Sequence, residues 1–117
     1  LVQDDRYHYT FTVRQKDGAR VLTLTEVKNH ARTVLAETPL EQDGRIYLTV
    51  TATAEGYHFY YGFRDQEFRL LCKDADPTLL SSLVNEGFTG TYIGMYATSN
   101  HNASSNYADF DWVLYEA

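Results

Sequence analysis

The residue pair best suited by type and spacing to do chemistry is Asp109 and Asp111. In an extended strand, residues two apart share a face and lie about 6 to 7 Å from each other. Two carboxyls at such a separation are what acid–base cleavage of a glycosidic bond requires. The residues between and after them are Phe110 and Trp112, so acidic and aromatic side chains alternate. That alternation describes a half-buried terminal strand with one polar face. The structural reading is adopted, and no residue of the chain is assigned a catalytic role.

Metal chemistry has thin support. Asp4-Asp5 and Asp74-Ala75-Asp76 group oxygen donors of the kind calcium prefers, but no EF-hand loop follows either. Asp76 stands directly ahead of Pro77, where a carboxylate caps a helix start. The four histidines, His8, His30, His58 and His101, are scattered, and none has a zinc-ligand spacing with Cys72. The expectation is no metal and no cofactor, calcium being the one ion for which donors are grouped. Cys72 is the single cysteine, so an internal disulfide is excluded. It sits in Leu70-Leu71-Cys72 and reads as a small buried hydrophobe.

Aromatic rings offer a third chemistry. There are ten tyrosines against six phenylalanines. Tyr couples an apolar ring to a polar tip, and sugars stack their C–H faces on such rings when they are exposed. Tyr60 shares a strand face with His58 and Arg64, opposite a Tyr57, Phe59, Tyr61, Phe63 stripe. Tyr92 and Tyr96 flank Gly94, and a glycine there leaves a shallow gap into which a ring or a backbone can come close. His58, Tyr60, Tyr92 and Tyr96 are therefore the candidate carbohydrate-binding residues. The competing reading of each is cross-strand aromatic packing. Asn102-Ala103-Ser104 is a glycosylation sequon, meaningful only in a secreted eukaryotic protein.

The elements that must position these residues are strands. Residues 6–14 alternate, with Tyr7, Tyr9, Phe11 and Val13 on one face and His8, Thr10 and Thr12 on the other. Lys16-Asp17-Gly18 is a turn signal, and residues 20–27 resume the pattern, so the two form a hairpin. A weaker strand covers residues 33–37. After the Asp43-Gly44 turn, residues 45–54 put Ile46, Leu48, Val50 and Ala52 on one face and a Tyr47-Thr49-Thr51-Thr53 ladder on the other. Glu55-Gly56 turns the chain into a strand over 57–64, and a short strand follows over 68–73. Residues 77–84 are the one helical candidate. Strands over 91–99 and 108–116, joined by a polar loop over 100–106, close the chain. Seven or eight short strands with closely spaced turns make an all-β antiparallel sandwich or barrel.

Composition narrows the partners. The 117 residues suit one domain, residues 1–117. The net charge of -6 opposes binding to phosphate backbones, so nucleic acid is not expected. No apolar run is long enough to cross a membrane as a helix, and no basic-then-apolar leader is present. The chain opens on Leu1, close to a strand, as a processed or excised piece of a longer protein would.

Two tail motifs carry a family likeness. Gly87-Phe88-Thr89-Gly90-Thr91-Tyr92-Ile93-Gly94-Met95-Tyr96-Ala97, followed by Ala108-Asp109-Phe110-Asp111-Trp112, resembles the close of the C-terminal β-sandwich of family 43 glycoside hydrolases, the β-xylosidases and α-L-arabinofuranosidases. Arg20-Val21-Leu22, Ile46-Tyr47-Leu48-Thr49-Val50 and Phe59-Tyr60-Tyr61 match comparable strands, so the likeness spans nearly the whole chain. The resemblance implies a concanavalin-A-like, jelly-roll sandwich lacking some N-terminal strands, so that residues 1–117 are a single sandwich domain or the C-terminal part of one. It further implies a lobe that packs on a five-bladed catalytic propeller absent from this chain, with xylan or xylo-oligosaccharide as a ligand. The incomplete sandwich is expected to be covered by a partner chain or a second copy. Three readings stay open: an accessory lobe of a xylan-degrading enzyme, a free-standing lectin-like module, or a structural interaction domain without sugar binding. The compartment is left undetermined.

Overall fold

In the computed structural model, residues 1–81, 92–99, 103–105 and 108–116 are described. They contain seven strands: β1 (Val2–Asp4), β2 (Tyr7–Lys16), β3 (Ala19–Lys28), β4 (Ala31–Pro39), β5 (Tyr47–Ala52), β6 (Tyr57–Arg64) and β7 (Glu67–Ala75). All pairings are antiparallel. β1-β2-β3-β4 form one sheet and β5-β6-β7 a second. The architecture is the all-β, two-sheet sandwich that the spacing of strands and turns predicts.

Local chemistry accounts for the hairpins. Asp17 and Gly18 both take positive φ between β2 and β3, the two-residue turn whose twist matches its flanking strands. Asn29 and His30 do the same between β3 and β4, a turn that Asn marks only weakly in the sequence. β4 runs two residues further at each end than the 33–37 alternation indicates. Its register on β3 supplies the extra pairs Val21↔Pro39 and Leu22↔Thr38 at one end and Val27↔Arg32 and Lys28↔Ala31 at the other. β1 is separated from β2 by a tight turn at Asp4. The Asp4 carboxylate accepts the Arg6 and Tyr7 backbone N–H groups at 2.7 and 3.1 Å and pairs with the Arg6 guanidinium at 3.0 Å. Arg6 is thus in the turn and not in the strand that the sequence pattern assigns to it.

The sheets meet through aromatic rings. Tyr9 and Phe11 of β2 face Tyr57 and Phe59 of β6, with centroids 5.3 to 5.9 Å apart and planes tilted or edge-on. Tyr9, Leu24, Phe59, Ala75, Leu79 and Leu80 form the buried centre. Fully burying a side chain such as Leu24 or Phe59 contributes about 1.5–3 kcal/mol. Leu79 and Leu80 come from the segment expected to be helical. Residues 77–80 instead make turns, closed by one bond from Ser81 N–H to the Thr78 carbonyl at 3.0 Å. Asp76 still caps it, accepting Thr78 N–H at 2.8 Å. A segment this short gains too little from helical bonds to hold a helix, and it places two leucines under the sandwich instead. Residues 82–84 lie outside the described residues.

The tail departs further from the alternation. Of residues 92–99, Tyr92 alone makes a ladder contact, an antiparallel bridge to Val2. Residues 108–116 pair with no strand among the described residues. Phe110, Trp112, Val113, Leu114 and Tyr115, from both alternating faces, are more than half exposed. Alternation creates two faces, but a ladder needs a neighbouring edge in register. Residues 87–91, with the Phe88-Thr89-Gly90 turn, lie outside the described residues.

Two substitutions probe this framework. A Cβ on Gly62 would run into the Glu67 carbonyl where β6 meets β7. Gly62→Ala is therefore expected to destabilise the domain by about 1–3 kcal/mol in a denaturant titration. The Tyr9 hydroxyl donates to the Asp76 carbonyl at 2.9 Å from within the core. Tyr9→Phe keeps the ring packing and removes that bond, at an expected loss of about 1–2 kcal/mol by the same titration.

Candidate functional site

The four candidate residues do not converge on one place. His58 is buried, 7% exposed, at the base of the β5–β6 turn. Asp74 N–H donates to its Nδ1 at 3.3 Å, which leaves the ring proton on Nε2, 3.0 Å from Thr53 Oγ1. Thr53 in turn donates to the Gly56 carbonyl at 3.3 Å. With both nitrogens engaged inside the domain, the geometry makes His58 a tie between the β5–β6 turn and the end of β7. Polarity at position 58 suggested a surface role, but residues on both sides of the ring close over it.

Tyr60 is half-buried on the outer face of the three-stranded sheet, opposite Thr49 on β5 and Leu70 on β7. Leu70 is 52% exposed beside it. Tyr92 and Tyr96 belong to the tail, 63% and 56% exposed. A Cβ built on Gly94 between them meets nothing within 4 Å among the described residues. Tyr96 borders an open cleft of about 3210 Å³, whose wall does not include His58, Tyr60 or Tyr92.

That cleft is a feature the sequence pattern did not reveal. It runs along the open side of the sandwich, between β2, β5 and the tail. Leu48 and Val50 share the face of Phe59 and Tyr61 through the β5–β6 register, so they point between the sheets as expected. Both nevertheless remain about two-fifths exposed, because among the described residues no strand covers them. Near the start of β5 the tail touches the sheet. Arg45 pairs with Asp111 at 3.1 Å, and the Tyr47 and Trp112 rings are 6.0 Å apart. Asp111 is thus tied to a cation at an exposed site, and Asp109 is also exposed. Among the described residues, neither faces an opposed carboxylate across an enclosed pocket.

The outer face of the four-stranded sheet carries the best-formed polar cluster. Glu37 accepts Arg14 Nη2 at 2.9 Å, Lys16 Nζ at 2.8 Å and the buried Thr23 hydroxyl at 3.1 Å. Arg14 Nε also donates to Thr23 Oγ1 at 3.2 Å. The bonds from Lys16, Arg14 and Thr23 hold the Glu37 carboxyl at about 2, below its ordinary 4.5. Asp4 and Asp76 are likewise lowered, chiefly by the Arg6 and Thr78 side chains that they accept. These acids have partners within the chain. Among the described residues no three His, Cys, Asp or Glu side chains are grouped to hold a metal ion. Burial raises the Cys72 thiol, with Asp74 and Glu26 adding to it, so the thiolate is disfavoured.

Comparison with known proteins adds a family. The model of the β-xylosidase C-terminal concanavalin-A-like domain matches residues 1–116. The chain belongs to this family. The module is 32% identical over 109 residues to the non-reducing end alpha-L-arabinofuranosidase BoGH43B of Bacteroides ovatus. The match takes in 93% of the chain and 20% of the relative. The module therefore spans about a fifth of that enzyme's length, and the likeness inferred from the two tail motifs is the family that the comparison shows.

Because Glu37 is held ionised, its bonds stabilise the fold fully above pH 4.5, and this contribution is lost as pH falls toward about 2. Acid titration of stability is expected to show a drop across that window. Glu37→Gln should flatten that part of the profile while leaving the neutral-pH fold intact by circular dichroism.

Proposed function

We propose that the module is a non-catalytic accessory lobe of a glycoside hydrolase acting on arabinose- or xylose-containing polysaccharide. It supports the catalytic domain, a five-bladed propeller by the family resemblance, and contacts xylan or xylo-oligosaccharide. The observation that carries the reading is the match of residues 1–116 to a domain described as the C-terminal domain of β-xylosidases. The arabinofuranosidase relative, most of whose length lies outside the matched region, supports placing the chemistry in a neighbouring domain. The Asp111–Arg45 pairing supports it from within the chain, since a carboxylate neutralised by an exposed arginine is poorly suited to acid–base work.

Sugar contact falls on Tyr92 and Tyr96. They are exposed and, among the described residues, nothing crowds Gly94 between them, so each ring can present a face to a pyranose or furanose. Tyr60 offers a second, separate ring on the other sheet. His58 serves the fold in this reading.

Affinity electrophoresis of the full-length protein in xylan gels tests sugar contact. Retardation is expected, and Tyr92→Ala and Tyr96→Ala should each weaken it, with Tyr60→Ala weakening it less. Mobility of the unmutated protein that is indifferent to xylan would sink the sugar-binding part. Asp109→Asn and Asp111→Asn should leave kcat on an aryl arabinofuranoside or xyloside within about twofold; a loss near a thousandfold would return catalysis to this chain.

A further inference from the structure

Near the end of β7, Asp74 leaves the extended conformation of its strand. Its φ is +57°, and the β6–β7 register shifts between Tyr57 and Phe59 to admit it. Non-glycine residues enter the left-handed region at a cost that Asp and Asn bear best. The peptide is held there by His58. Asp74 N–H can only donate, so its 3.3 Å contact makes Nδ1 the acceptor and leaves the ring proton on Nε2. Thr53 Oγ1, 3.0 Å from Nε2, accepts that N–H. It also accepts Glu55 N–H at 3.2 Å and donates to the Gly56 carbonyl at 3.3 Å. The turn therefore occupies the Nε2 side, and the Nδ1 lone pair is where the ring can gain a proton.

A proton on Nδ1 would set donor against donor, since Asp74 N–H points at the same atom. The acceptor that can relieve this belongs to the same residue. Asp74 Oδ1 lies 3.7 Å from Nδ1, beyond a hydrogen bond but within reach of a small movement. The imidazole side chain is 9% exposed, so a charge on it must be paired. The second carboxylate near the ring is Glu55 in the turn, lowered chiefly by its bond from Thr53 and in smaller part by the His58 charge. Neither carboxylate pairs with a lysine or arginine among the described residues. From β7, Cys72 stands beside Asp74 with its thiol raised, chiefly by burial, so it adds no charge. A Cβ on Gly56 would overlap the Ala75 carbonyl and crowd the Asp74 backbone. The Asp74 peptide thus has no room to move toward the turn.

We propose that His58 is a proton-operated latch between the β5–β6 turn and the exit of β7. Unprotonated, the ring holds the Asp74 peptide through Nδ1. When a proton from solvent adds to Nδ1, the bond from Asp74 N–H breaks and a bond from Nδ1–H to the Asp74 carboxylate forms. The bond from Nε2–H to Thr53 is kept. The peptide turns away from the ring, and the exit of β7 moves with it. That exit leads to the Asp76 carbonyl, which accepts the Tyr9 hydroxyl, and then to Leu79 and Leu80 in the core. A change of charge at one buried ring thereby reaches the base of the sandwich. The inference is independent of the sugar-contact reading.

Nuclear magnetic resonance of the full-length protein, isotopically labelled at histidine and aspartate nitrogen, provides the test. The scan runs between about pH 8 and 5, the interval in which imidazole changes charge. At its upper end the His58 proton is expected on Nε2 alone. On acidification the Asp74 amide should shift in step with the His58 ring. Its protection from exchange, corrected for the intrinsic effect of pH, should fall about tenfold. An Asp74 amide that stays in place while the ring titrates would overturn the proposal, as would a ring that takes no proton in this interval. Asp74→Asn removes the carboxylate acceptor and suits the same backbone conformation. The amide of residue 74 should then keep its neutral-pH position to lower pH than in the unmutated protein. A titration of that amide unchanged by the substitution would show that the carboxylate takes no part, and the exchange of partners would be wrong.

Discussion

The packing of Tyr9 against Phe59 is the contact on which the two sheets depend. Neither sheet can bury its aromatic face alone, since a three- or four-stranded sheet keeps water on both sides until another layer arrives. The Tyr9 ring supplies the apolar contact, and its hydroxyl anchors the Asp76 carbonyl at the exit of β7. Burial, with the nearby Glu26 and Asp76 charges, drives the hydroxyl well above its usual range, so it stays a neutral donor. One side chain therefore joins the middle of the first sheet to the last connection of the second. Leu79 and Leu80 can then close the base of the core without a helix.

The same contact explains why the module is closed on one side and open on the other. Around Tyr9 and Phe59, polar groups find partners: Thr23 with Arg14 and Glu37, His58 with Thr53 and the Asp74 peptide. Along β5 and the far half of β2, apolar side chains point the right way but, among the described residues, have no layer over them. The side whose polar groups are satisfied holds the two sheets in place.

The candidate site shows how far residue type can lead. Tyr92 and Tyr96 are exposed on either side of Gly94, the disposition that a glycine between two rings suggests. The burial of His58 was not legible, because its alternation with Tyr60 says which face it shares and nothing about what covers that face. A bulge shifts the β6–β7 register between Tyr57 and Phe59, bringing the Asp74 peptide to the imidazole. No local pattern announces a bulge. Asp109 and Asp111 illustrate the converse. Their spacing suited an acid–base pair, and it is the long-range partner Arg45, sixty-six positions earlier, that marks Asp111 as a surface ion pair.

By itself, the sequence determined the existence of β2 to β7, the Asp17-Gly18 hairpin, the inward faces of β2, β5 and β6, and the family likeness of the tail; it did not show β1. These are local properties: period-two alternation and turn residues act over a few positions, and their energies do not depend on distant chain. Only the tertiary structure decided that residues 77–80 turn instead of coiling, that His58 is buried, and that residues 108–116 form no ladder with the described strands. Each of these depends on what lies opposite in space. Helical propensity lost to the burial of Leu79 and Leu80, and the tail's alternation meets, among the described residues, no strand edge in register beyond the Val2–Tyr92 bridge.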